Sequence, residues 1–311
     1  MREEKELTYY KGALPRTDLA MEVRESIPQK NREIKGVTLL EKYNEKEEIL
    51  VTTVEIKDEK GAKAMGKPVG KYITIESKNL DKNDGGYNKG IAKEIEKQIK
   101  LLGGKNIKKT ETLVVGLGNR QITPDALGPW VVDNLAVTRH LIKQYGQSLQ
   151  EEHDLGIMSA ISPGVMAQTG METSEIIRGI IKETKPKLII AIDALAARNA
   201  SRVNTTVQLT DTGISPGAGV GNRRQMLNEE TLGVKVIGIG CPTVVQASTI
   251  VNDTLEKFMS KQGLPEEDIY EFINDMNQDG INSMFVTPKN VDEAVKRISY
   301  TISEALNHCF S

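Results

Sequence analysis

The 311-residue chain is poor in the side chains that announce the commonest chemistries. It has two cysteines, Cys241 and Cys309, and no CxxC pair, which excludes a cysteine-built zinc site and a disulfide scaffold. A reducing, cytoplasmic setting is the expectation that follows. Its three histidines, His140, His153 and His308, form no HExxH motif. No serine stands in a GxSxG elbow. No apolar run approaches the roughly 18 residues of a membrane span. The opening residues, Met1 to Glu6, carry charge with no apolar stretch behind them, so they are not read as a secretory signal.

What is present is charge and an adequate apolar content. The chain is 38% hydrophobic and 27% charged, with a formal net charge of −2, enough apolar material for a proper core. The charge is uneven: residues 1–110 hold 24 basic and 19 acidic side chains, residues 111–311 hold 17 and 24. In the first part lysines alternate with glutamates. That pattern is a solvated face, without the one-signed patch and aromatics of a nucleic-acid surface. Neither nucleic acid nor a membrane is an expected partner.

The composition shift near residue 110 suggests two regions. Segments Ile34–Leu40, Glu48–Ile56 and Lys71–Ser77 are rich in β-branched residues and predict a small antiparallel meander. Asn88–Leu102 has isoleucines at helical spacing and a glycine stop. Beyond residue 110, apolar strands (Thr112–Gly116, Ile157–Ile161, Lys187–Ile192, Lys235–Ile239) alternate with helices (Ala126–Leu141, Ser174–Glu183, Val244–Met259). Pro265–Met276 and Val291–His308 predict two C-terminal helices. The expected fold is α/β: an open, mostly parallel twisted sheet with helices on both faces, plus a small N-terminal β-rich subdomain.

Sites in such sheets lie beyond the carboxyl ends of the strands. The first strand ends in Gly116-Leu-Gly118-Asn119, which lacks the third glycine of a dinucleotide fingerprint, Gln121 standing there instead. Asp125 follows, before a helix, where a cap is the simplest role. Gly164 lies in the Gly/Pro loop after the second strand. Asp193 directly follows the third strand, where apolar neighbours would raise its pKa. A glycine-rich loop, Asp211 to Arg224, includes Gly213 and ends in a basic pair, Arg223 and Arg224. Cys241 is expected at a strand end and, lacking a base, as a buried small residue. Two aspartates, Asp125 and Asp193, thus remain as a possible acid/base pair sharing a proton. The residues alone leave a hydrolase, a nucleotide binder and a non-catalytic α/β protein all open.

The chain as a whole resembles the germination proteases (spore proteases) of spore-forming bacteria. The resemblance is carried by Val114-Val-Gly-Leu-Gly-Asn119, Thr123-Pro-Asp-Ala-Leu-Gly-Pro129, Val132-Asp-Asn-Leu135, Thr138-Arg-His-Leu141, Ala191-Ile-Asp-Ala-Leu-Ala-Ala-Arg198 and Gly219-Val-Gly-Asn222. Cys241-Pro-Thr-Val-Val245 and Val286-Thr-Pro-Lys289 extend it. It implies an endopeptidase that degrades the small acid-soluble proteins of the spore, localised to the cytoplasm of the spore core. It further implies a zymogen that processes itself and a homotetramer. The family's pair of aspartates matches Asp125 and Asp193. Residues Arg16-Thr-Asp-Leu-Ala-Met-Glu22 resemble the sites cut in the spore proteins, so self-cleavage is expected between Asp18 and Leu19. Residues 1–18 are then a propeptide, 19–110 the β-rich subdomain with one helix and 111–311 the catalytic core.

An acid before the cut bond calls for a cationic subsite, with Arg198, Arg202, Arg223 and Arg224 as candidates. Gly116, Gly118, Asn119, Gly164, Asp211 and Gly213 are candidates for the substrate and oxyanion region. The core motif is also similar to the hydrogenase-maturation endopeptidases, in which two carboxylates and a histidine sense nickel; here no histidine occurs between Asp211 and Gly221. No cofactor is expected. A metal-assisted endopeptidase, with the two aspartates as ligands to a divalent ion, is the second reading.

Overall fold

Strand residues alternate between two apolar layers, which is why the sheet is covered on both sides. In the computed structural model, residues 17–27, 34–81, 88–104, 106–219, 221, 224–263 and 281–310 are described. Val114, Ile190, Ile192, Ile237 and Ile239 face one core, and Leu113, Val115, Ile189, Ala191 and Val236 face the other. The first layer is closed by α3 (Lys89–Gly103), α4 (Leu127–Asp133) and α11 (Val291–Phe310). Helix α3 begins where the Asn88 side chain accepts the Ile91 N–H, and buries Ile91, Ile95, Ile99 and Leu102 at helical spacing. The second layer is covered by α8 (Thr173–Thr184) through Ile177 and by α9 (Glu229–Leu232) through Leu232.

The described strands form one sheet. Its parallel half runs β5 (Met158–Ile161), β4 (Thr112–Gly116), β6 (Leu188–Ala197), β8 (Lys235–Gln246). Its antiparallel half continues from β8 through β7 (Thr206–Thr210), β3 (Gly70–Glu76), β2 (Ile49–Ile56) and β1 (Val37–Asn44). A short β9 (Phe285–Val286) also pairs with β8. The N-terminal meander is therefore bonded edge to edge onto the core through β3 and β7. Helix α1 (Ala20–Glu25) and α2 (Glu59–Met65) lie on this half, where Ala20, Met21, Val54, Ile56, Met65 and Tyr72 form a third apolar cluster. The remaining helices are α5 (Arg139–Tyr145), α6 (Gln147–Glu152), α7 (Met166–Thr169) and α10 (Ala247–Lys261).

Several expected elements differ, the first strand running Val37–Asn44 where Ile34–Leu40 is expected. Strands β6 and β8 run five and seven residues past their expected ends, so Asp193 and Cys241 lie within strands. Their mutual pairing continues to Ala197 and Val245, with a register shift after Leu195 where Pro242 stands opposite. The helix expected over Ala126–Leu141 is divided into α4 and α5, because Asn307 of α11 accepts the Ala136 N–H and donates to the Asn134 carbonyl, fixing a break. The helix expected at Pro265–Met276 lies outside the described residues.

Candidate active site

Asp125 is held by a single turn between β4 and α4. Its Oδ2 accepts the Asn119 N–H at 2.7 Å, and Thr243 Oγ1 of β8 donates to the preceding Pro124 carbonyl at 2.6 Å. Gly118 makes the turn possible: its φ is +110°, and a Cβ there would stand 1.9 Å from the Asp125 carbonyl oxygen. The carboxyl is half-buried. Burial raises its pKa, and the Asn119 N–H partly opposes the rise.

Asp193 is 5% exposed in the middle of β6 and accepts the Ala194 N–H at 3.0 Å. Burial holds its pKa well above the carboxylate range, and the charges of Asp125 and Asp18 push it the same way. Asp125 and Asp18 are thus both near enough for their charges to act on Asp193.

The third acid belongs to the segment expected to be cut. Asp18 brackets Ala196 on β6: its N–H donates to the Ala196 carbonyl at 3.0 Å, and its Oδ2 accepts the Ala196 N–H at 2.9 Å. The Gly219 N–H is a second backbone donor to that carboxyl, and Lys67 is a nearby cation; burial nonetheless raises the Asp18 pKa. Leu19 is 0% exposed and packs with Leu113, Val115 and Leu195. The Asp18 carbonyl oxygen accepts from Lys67 Nζ at 3.0 Å and from Gln208 Nε2 at 3.1 Å. Gln208 Oε1 accepts the Ala20 N–H at 2.7 Å. Glu22, 1% exposed, accepts the Arg198 N–H at 2.7 Å and the Asn199 N–H at 2.9 Å, and Thr17 Oγ1 also donates to it.

The sequence candidates divide by position. Gly116, Gly118 and Asn119 stand with Asp125 at the carboxyl end of β4, and Asn119 Oδ1 accepts Gln168 Nε2 at 3.1 Å beside the loop that carries Gly164. Asp211 and Gly213 stand elsewhere. Strand β7 runs against β8, so its end points toward the amino ends of the parallel strands. There Asp211 Oδ1 accepts the Lys71 N–H at 2.8 Å, and Gly213 abuts Leu227. Of the arginines, Arg202 pairs with Glu22, Glu25 and Glu76, Arg198 with Asp253 at 3.7 Å, and Arg224 with Glu172 at 3.9 Å. The Asp18 carboxyl is met by backbone N–H groups instead. Arg223 and residues 1–16 lie outside the described residues.

Lys67 and Gln208 escaped sequence reasoning, while Glu22, Ala196 and Gly219 stood in the blocks that carry the resemblance without being given a role. The one available signal was Gln208, a polar residue within the apolar run Val207–Leu209. Cys241 is fully buried within β8, and burial pushes its thiol far up, so it is no nucleophile. Among the described residues, no group of three or more His, Cys, Asp or Glu side chains is arranged to hold a metal ion, and no helix is long and apolar enough to cross a membrane.

Comparison with known proteins gives a consistent result. The family model for germination protease matches residues 13–268. A germination protease of Caldanaerobacter subterraneus subsp. tengcongensis is 47% identical over 308 residues, covering 94% of this chain and 93% of its own. One from Clostridium perfringens is 42% identical over 308 residues, covering 94% of each chain. One from Bacillus subtilis is 46% identical over 261 residues, covering 82% of this chain and 70% of its own. Among solved structures, a [NiFe] hydrogenase maturation protease from Thermococcus kodakarensis matches 64% of this chain and 93% of its own at 18% identity, with a TM-score of 0.30. With its family model matched over most of its length and relatives above 40% identity along nearly the whole of it, this chain belongs to the germination protease family, a family of peptidases.

Proposed function

We propose that the chain is the zymogen of an endopeptidase that cleaves itself between Asp18 and Leu19 and then degrades small acid-soluble spore proteins during germination. The observation that carries the proposal is that Asp18 is bonded to Ala196 of β6, three residues past Asp193, whose acidity both Asp18 and Asp125 suppress. Asp193, the more deeply buried acid, holds the proton shared by the pair, and Asp125 remains ionised. Asp125 takes a proton from water as that water attacks the Asp18 carbonyl carbon. The tetrahedral intermediate collapses, the C–N bond breaks, and Asp193 gives its proton to the departing Leu19 nitrogen. Location in the spore core and assembly as a homotetramer belong to the same proposal, on the strength of the family resemblance.

The test is intact mass of the full chain after incubation at mildly acidic pH, for wild type, Asp125→Asn and Asp193→Asn, with and without a strong chelator. The wild type should lose residues 1–18, and each variant should stay whole. Both acids have raised pKa values and one proton must be kept, so processing should slow as pH rises and the second proton is lost. Processing that accelerates steadily above neutral pH would sink the shared-proton mechanism. Loss of cutting with chelator, restored by one divalent metal, would replace it with metal-assisted hydrolysis by the same residues.

A further inference from the structure

We infer that Lys67 and Gln208 are the donors that polarise the carbonyl of the bond to be cut, a role that rests on the reading of Asp18–Leu19 as the processing site. The Asp18 carbonyl oxygen receives two side-chain donors, Lys67 Nζ at 3.0 Å and Gln208 Nε2 at 3.1 Å. Hydrolysis at this carbonyl places negative charge on that same oxygen. Two fixed donors already aimed at it, one of them cationic, are the arrangement that stabilises a tetrahedral intermediate.

The sheet explains why Gln208 is there. Asp193 pairs with Gly240, and Gly240 pairs with Gln208, so the acid and the amide stand in one row across β6, β8 and β7. Residues paired in this way project from the same face, and the residue between them, Gly240, carries no side chain. Gln208 then spans the bond: its nitrogen holds the carbonyl before it, and its oxygen holds the Ala20 N–H after it. A side chain that only filled space would need neither contact. Lys67 comes from the turn after α2 and is surrounded by burial that lowers its pKa and acids, Asp18 and Glu22, that raise it. As the oxyanion forms, the ammonium gains a third negative neighbour. Gly118 and Asn119 adjoin Asp125, Gly116 lies against Gly128 and Gly164 against Gln168, and among the described residues no contact of theirs with this carbonyl is seen.

The experiment is the first-order rate of self-processing by intact mass, on full-length Lys67→Met, Lys67→Arg, Gln208→Leu and Gln208→Glu beside wild type and Asp193→Asn. Trypsin cutting at Arg24, within α1, reports in parallel whether the segment stays docked. Lys67→Met and Gln208→Leu should slow processing about 100-fold or more, and Lys67→Arg should recover part of the loss. Gln208→Glu keeps the acceptor for Ala20 and removes the donor to Asp18. It should be slow while the segment remains docked, even if Gln208→Leu undocks it. Processing of Gln208→Glu and Lys67→Met within about threefold of wild type would overturn the assignment. So would slow processing that tracks undocking in every variant. A wild type that never cuts itself, or an Asp193→Asn that does, would instead refute the carboxylate reading beneath it.

Discussion

At the scale of single residues, the site depends on two glycines: Gly118 lets backbone approach backbone, and Gly219 leaves room for a carboxyl. A Cβ there would stand 2.1 Å from Asp18 Oδ2 and 2.8 Å from the Ala196 Cβ, so any side chain expels the carboxyl from its place. Gly219→Ala should slow self-processing at least tenfold by intact mass, while the melting temperature falls by only a few degrees. Unchanged processing would mean the Asp18 carboxyl is not read at this position. The sequence displayed the acids and the glycines but not their pairing. Asp125 and Asp193 stood out because each follows an apolar strand core, whereas Lys67 and Gln208 are ordinary surface and strand residues until the fold aligns them. The expected partner of Asp18 was an arginine, on the reasoning that an anion calls for a cation. Backbone N–H groups at Ala196 and Gly219 meet it instead, and no side-chain pattern announces those.

At the scale of elements, α1 is a six-residue helix too short to persist on its own. It is held by what surrounds it: Ala20 and Met21 in the apolar cluster, and Arg202 joining Glu22 and Glu25 of α1 to Glu76 of β3. Arg202→Met should loosen this end first. It removes a charge from a nearly buried site, a loss of about 2–4 kcal/mol, partly offset by the two N–H groups that still hold Glu22. Trypsin should then cut at Arg24 at least tenfold faster than in wild type, and protection equal to wild type would show that the apolar contacts alone suffice. Strand legibility followed the same division between local and distant causes. Thr112–Gly116 was readable to the residue because an apolar run ends at glycine. Ala194–Ala197 was not, because alanine and leucine favour helix and only pairing with Cys241–Val245 extends the strand.

At the scale of the whole molecule, the buried acid costs the fold stability as pH rises. Asp193 has a pKa raised well above its unfolded value, so the folded state holds that proton more tightly than the unfolded chain does. The proton's stabilising contribution is complete below about pH 4, the ordinary carboxylate value, and is lost progressively as pH climbs through the folded pKa. Asp193→Asn, which has no proton to lose, should therefore match wild type near pH 4 and melt higher at pH 7. Each kcal/mol regained should raise the melting temperature by roughly 2–4 °C or somewhat less in a chain of this size. Melting curves that stay parallel at both pH values would contradict the burial of this charge. The single sheet also changes how the meander is understood. Composition divides the chain near residue 110, but β3 and β7 carry the hydrogen bonding straight across that division.

Leu19 has no exposed surface, so hydrolysis before it would create an ammonium group at a buried residue. An α-amino group has a pKa of about 8, and a charge taken out of water costs several kcal/mol unless it is well paired. The new carboxylate on Asp18 would crowd acids already at close quarters. Both fresh termini would be charged where a neutral peptide bond had been, which favours their moving apart. Their departure separates the two ends, so the ligation that would rebuild the bond has no partner at hand. Burial of one leucine thereby makes the cut a commitment.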